Sequence, residues 1–155
     1  VRLIKEKSLY SDSPVGNPRD AERIVADEMA TLDREVFCVM NLNTKGKVIN
    51  LSIVSVGVLD SSMVHPREVF KSVILSNAAG VILIHNHPSG VPEPSPEDFD
   101  VTKRLMEAGD VLGIKVVDHL IVAGGTGEYY SLASEGDLEN IREELERERY
   151  RDYER

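Results

Sequence analysis

Apolar and polar positions divide the chain into segments of two periods. Ala21, Ile24, Val25 and Met29 share one face at helical spacing. Asn17-Pro18 ahead of them supplies a cap residue and a proline for the first helical position. Residues 1–16 read as a loose or extended lead-in. From Glu35 the pattern changes: Val36 to Leu42 predicts a strand, Asn43-Thr44-Lys45-Gly46 a turn, and Val48 to Leu59 a longer strand, together a hairpin. Pro66-Arg67-Glu68 opens a helix carrying Val69, Phe70, Val73, Ile74 and Leu75, with Gly80 as its stop. Val81-Ile82-Leu83-Ile84 is wholly apolar, as a strand covered on both faces would be. After a proline-rich loop, Ser95-Pro96-Glu97-Asp98 starts a helix that runs to Leu112-Gly113. Ile114–Val117 and Leu120–Val122 predict two strands, and residues 124–127 a turn before Tyr129-Tyr130.

From Asp137 the chain is dense in charge. Leu138, Ile141 and Leu145 leave a narrow apolar seam, which predicts a terminal helix lying on the domain with its other faces in water. The order β-β-α-β-α-β-β predicts a mixed sheet flanked by helices in a single α/β domain.

Composition narrows the functional classes. A net charge of -9 repels phosphate backbones, so the domain alone is expected to be a poor DNA binder. The single cysteine, Cys38, cannot form an internal disulfide and sits in the apolar run 36–40 as a core thiol. No window approaches the ~20 apolar residues of a membrane helix. The first residues lack the apolar core of a signal peptide, which points to the cytoplasm. The chain begins with Val1, so a further domain is left open.

Chemistry concentrates in residues 85–98. His85 and His87 are two apart on or just after a strand, so their imidazoles project to one side. The loop returns the chain to bring Asp98 into the first turn of the next helix. Two imidazoles and a carboxylate suit zinc, and three protein ligands leave a position for water. Each piece also has a plain explanation. Histidines two apart are common without a metal, and Ser95-Pro96-Glu97-Asp98 is also a good helix start.

These residues resemble a known signature. H-x-H-P, six residues, then S-x-x-D is the JAMM (MPN+) metalloprotease pattern, matched in every element by His85, His87, Pro88, Ser95 and Asp98. Within that superfamily the chain resembles the RadC family, through His85-Asn86-His87-Pro88-Ser89-Gly90, residues 94–98, 64–70 and 77–79, and Asp118-His119-Leu120-Ile121-Val122. The resemblance spans roughly residues 20–135. It implies a JAB/MPN-like (cytidine-deaminase-like) fold, a curved mixed sheet flanked by helices, over 17–135, with 1–16 loose and 136–155 a charged C-terminal helix. It implies Zn2+ held by His85, His87 and Asp98 and cleavage of amide or isopeptide bonds in a peptide or protein substrate. It implies that Ser95 steadies the oxyanion, a role that can coexist with capping.

The superfamily also requires a glutamate ahead of the histidines as proton shuttle. Glu35, just before Val36, fits that position, with Glu68 as its rival. His65 reads as a loop residue. His119 reads as a partly buried histidine with its polar atoms satisfied, or as a support to the site. Two other classes stand beside the hydrolase: an accessory or DNA-associated zinc protein, and a catalytically silent scaffold. Fuller members of the family carry an N-terminal helical region suited to DNA, which is not visible in this sequence. A homodimer is left open.

Overall fold

The computed structural model describes residues 2–4, 23, 25, 28–57, 64–126 and 128–155. The strands are β1 (Arg2–Ile4), β2 (Val36–Leu42), β3 (Val48–Val56), β4 (Gly80–His87), β5 (Lys115–Ala123) and β6 (Tyr129–Ser131). Three helices are complete: α1 (Pro66–Leu75), α2 (Pro96–Leu112) and α3 (Asp137–Tyr153). They form a single α/β domain around one mixed sheet of order β1-β3-β2-β4-β5-β6. Among the described strands only β4 and β5 run parallel, and α2 makes the crossover that a parallel pair requires.

The period-two pattern of the strands sorts their side chains onto two faces. Phe37, Val39, Val81, Leu83 and Ile121 join α1, α2 and α3 in one apolar cluster. Val36, Cys38, Met40, Ile82, Ile84, Leu120 and Val122 join Val25 and Met29 in another. With both faces covered, β4 is apolar throughout until His85. Burial pushes the Cys38 thiol up to about 12, so it stays a neutral core group.

Several boundaries differ from the sequence expectation. Gly80 does not stop α1; it opens β4, and a Cβ there would meet the Lys115 carbonyl at 3.2 Å. The helix ends instead at Ser76, with Asn77 at φ 53° taking the left-handed position that often follows a helix. The two strands read at 114–117 and 120–122 are one strand, β5, unbroken through Asp118 and His119. These polar residues stay in the strand because the carboxylate of Asp118 accepts from the backbone of His119 and Ala133 and from the Ser131 hydroxyl. The helix start at Asn17-Pro18, with Ala21 and Ile24, lies outside the described residues. So do Val58-Leu59, Gly127 and most of 1–16, apart from Arg2–Ile4 on the sheet edge.

α3 buries Leu138, Ile141 and Leu145 against the first cluster. Lys103 of α2 bonds Glu144 at 2.8 Å and Glu148 at 2.7 Å, and Arg149 pairs with Asp110. Such exposed pairs are screened by water and add little, so apolar burial holds this helix.

Candidate metal centre

The centre forms where β4 ends, because three elements meet there. β2 and β4 pair antiparallel with Phe37 opposite His85, which sets Glu35, the residue before β2, beside the histidines. β5 runs parallel to β4, with Leu83 opposite His119 and His85 opposite Ile121. His119 thus lies on the same face as His85, deeper in the sheet. The N-terminus of α2 covers that face and contributes Asp98.

Asp98 is wholly buried and held by a capping box. Its Oδ2 accepts from the Ser95 backbone N–H at 2.7 Å and the Ser95 hydroxyl at 3.0 Å, while its own N–H donates to Ser95 Oγ at 3.3 Å. Ser95 is therefore the helix cap, and its hydroxyl proton goes to the Asp98 carboxylate. Oδ1 accepts from Nδ1 of His85 at 3.1 Å. Burial alone would raise the Asp98 pKa, but bonds from His85, His87 and Ser95 outweigh it and hold the group well below the usual carboxylate range.

Hydrogen bonding assigns the imidazole tautomers. Nδ1 of His85 faces a carboxylate and must donate. In the neutral ring the lone pair is then on Nε2, which has no hydrogen-bond partner and lies 3.5 Å from Glu35 Oε2. Nδ1 of His87 donates to the Val91 carbonyl at 2.8 Å, so its Nε2 lone pair lies 3.4 Å from Asp98 Oδ2. Thr102 Oγ1 donates its one proton to the Asp98 carbonyl at 2.6 Å, so it must accept from Nδ1 of His119 at 2.7 Å. Nε2 of His119 is left without a partner. Burial drives the His119 pKa down to about 3, which keeps that ring neutral.

The cluster therefore sets lone pairs against lone pairs, an arrangement that repels itself unless a proton or a metal cation lies among them. The separation of 3.4 Å between His87 and Asp98 is about the edge of a tetrahedron with ligand bonds of ~2.0–2.1 Å. The Ser95, Thr102 and Val91 contacts hold Asp98, His119 and His87 in these orientations. A proton is the competitor: the bond to Asp98 raises the His87 pKa against the burial that lowers it.

The residues expected from the sequence fall as follows. Glu35, His85, His87, Ser95 and Asp98 come together. Glu68 does not share their setting; it is exposed in the first turn of α1. His65, the residue before α1, makes no side-chain capping bond. His119 departs from its reading as a satisfied, partly buried histidine. It is wholly buried, it lacks a partner at Nε2, and one of its ring nitrogens lies within 4.8 Å of donor atoms on both His85 and Asp98. Among the described residues, the group whose ligand atoms lie close enough together to hold a metal is the buried His85, Asp98 and His119; His87 stands beside it, its Nε2 3.4 Å from Asp98 Oδ2. The sequence signals for His119 were the Asp118-His119 pair between two apolar runs and its place in a stretch that resembles the RadC family.

Glycine shapes the rim. Gly124 donates its N–H to the His87 carbonyl at 2.9 Å, and a Cβ there would stand 3.0 Å from Pro88 Cα. A larger residue there would require the His87-Pro88 turn to give way by a few tenths of an ångström. Among the described residues, no helix is long and apolar enough to cross a membrane.

Comparison with known proteins agrees with this geometry. A family model described as a RadC-like JAB domain matches residues 15–137. A UPF0758 protein of Moorella thermoacetica is 55% identical over 122 residues, covering 79% of this chain and 52% of the relative. One from Desulfitobacterium hafniense is 51% identical over 124 residues, covering 80% and 54%. A third, from Shouchella clausii, is 49% identical over 140 residues, covering 90% and 60%. The chain spans about half the length of the curated relatives it matches. With a matching family model over most of its residues and a buried His/Asp cluster able to hold a metal at the end of β4, this chain belongs to the RadC-like JAB domain family.

Proposed function

We propose that the domain is a zinc-dependent hydrolase of the JAMM type that cleaves amide or isopeptide bonds in a peptide or protein. The observation that carries this reading is the pairing of imidazole Nε2 lone pairs with carboxylates, His85 with Glu35 and His87 with Asp98, on the side of the cluster open to solvent. Zinc at such a position acidifies water and polarises a carbonyl at neutral pH.

The remaining work falls to the chain's own residues. His85, His87 and Asp98 form the ligand set, and Ser95 and Val91 hold Asp98 and His87 in orientation through the bonds described above. Glu35 is the proton carrier. Its side chain is 26% exposed, against 2% for His85 beside it, so it reaches both the site and solvent. Its carboxylate takes a proton from the attacking water and returns it to the leaving amine, a role worth ~10²–10⁴-fold in rate. The net charge of -9 favours a protein or peptide substrate over DNA.

A second reading has its own observation. The wholly buried set His85, Asp98 and His119 suits a metal that holds the fold without catalysis. One experiment separates the two. Metal analysis of the purified protein is paired with a screen of peptide and isopeptide substrates, using Glu35→Gln and Glu68→Gln. A hydrolase loses turnover in Glu35→Gln with metal retained, and Glu68→Gln costs little. A metalloprotein with no cleavage of any substrate class favours the second reading, and a reversal of the two variants moves the proton carrier to Glu68.

A further inference from the structure

Between the two histidines stands Asn86, and β4 alternation turns its side chain to the opposite face of the sheet. It is wholly buried. The β2–β4 ladder makes its last pairing at Phe37 and His85. Beyond that point the side-chain amide of Asn86 continues the pairing in place of backbone. Its Oδ1 accepts from the Val36 N–H at 2.6 Å, and its Nδ2 donates to the Arg34 carbonyl at 2.9 Å. A planar amide with one donor and one acceptor offers β2 what a neighbouring peptide group would offer. The two backbone groups it takes are those on either side of Glu35. Just past the end of β3, the Gly57 N–H donates to the Glu35 carbonyl at 2.7 Å. Three hydrogen bonds thus clamp the backbone at one residue, whose Oε2 lies 3.5 Å from His85 Nε2.

We propose that Asn86 is a positioning residue: it holds Glu35 at the metal centre and does not contribute to binding the ion. Asparagine suits this place for a chemical reason. Aspartate would lack the donor for Arg34, serine is shorter and carries donor and acceptor on one oxygen rather than on two atoms set apart as in a peptide group, and an apolar residue would leave a buried N–H and C=O unpaired. Because β4 places Asn86 between His85 and His87, the same strand sets the ligands with one face and the proton carrier with the other. The inference rests on the reading of Glu35 as that carrier.

The test needs no substrate. Cobalt(II) replaces zinc in the full chain, since its visible bands report both coordination and pH dependence. Wild type, Glu35→Gln, Asn86→Ala, Asn86→Ser and the double variant Glu35→Gln/Asn86→Ala are loaded, and the pH profile of the bands is recorded. Asn86→Ala is expected to bind cobalt with wild-type stoichiometry. The midpoint of its profile should move in the same direction as in Glu35→Gln, and the double variant should move no further than Glu35→Gln alone. Asn86→Ser should fall between wild type and Asn86→Ala, and it carries the comparison if Asn86→Ala does not fold. Three results overturn the proposal: a wild-type midpoint in the Asn86 variants while Glu35→Gln shifts, an added shift in the double variant, or loss of cobalt from Asn86→Ala. A Glu35→Gln profile identical to wild type, or a wild type that takes up no cobalt, defeats the underlying reading instead, and the role of Asn86 with it.

Discussion

His87→Ala separates the metal reading from a purely structural one, and its size can be worked from the structure. His87 belongs to neither apolar cluster, and its side chain is 13% exposed. Truncation removes the hydrogen bond to the Val91 carbonyl at 2.8 Å and the longer contact with Asp98 at 3.4 Å. That costs about 1 kcal/mol, or roughly 2–4 °C in Tm for a domain of this size. The metal-dependent part is larger. At a zinc concentration of about 100 times Kd, binding stabilises the folded state by about 2.7 kcal/mol, roughly 5–11 °C. Loss of a direct ligand weakens binding by ~100-fold or more, since even supporting contacts are worth ~10–100-fold. At the same zinc concentration the variant then keeps about 0.4 kcal/mol, roughly 1–2 °C. Scanning calorimetry with and without zinc, beside elemental analysis, measures both parts. A variant that folds, retains a full equivalent of metal and shows the wild-type zinc shift would refute the ligand role of His87. It would also turn attention to the buried set with His119.

Gly124→Ala puts a Cβ 3.0 Å from Pro88 Cα, so the His87-Pro88 turn must move; about 1–3 kcal/mol of stability and a weaker zinc shift in calorimetry are expected, and an unchanged shift would mean the turn does not set His87. In the metal-free protein the raised His87 pKa gives stability that is lost as pH climbs through it, while the depressed Asp98 pKa gives stability lost on acidification. Zinc needs His87 without its proton, so the Tm gap between zinc-loaded and metal-free protein should widen from mildly acidic to mildly alkaline pH; a gap that narrows contradicts the assignment. Electrophoretic shift assays at physiological salt should find weak DNA binding without sequence preference, and tight specific binding would overturn the argument from the charge of -9.

Much of the architecture could be read in the sequence, because short-range physics determines it. Alternation and apolar runs marked β2, β3 and β4, and Ser95-Pro96 marked the start of α2, because side-chain period and capping are local properties. His85, His87 and Asp98 stood out because their order along the chain mirrors a strand, a loop and a helix start. The errors share a cause as well. Gly80 looked like a helix stop until the Lys115 carbonyl of the neighbouring strand was seen to need the space. Asp118-His119 looked like a break between strands until Ser131, Ala133 and Thr102 were seen to satisfy those polar groups inside a continuous β5. Which nitrogen of each imidazole is bare depends on acceptors such as Val91, Asp98 and Thr102, supplied by a loop and another helix. The clamp of Asn86 on Arg34 and Val36 joins residues about fifty positions apart. Sequence alone put forward His85, His87 and Asp98 as candidates for the chemistry; only the packing of β2, β5 and α2 against the end of β4 decided their partners and distances and brought in His119, because those depend on groups remote along the chain.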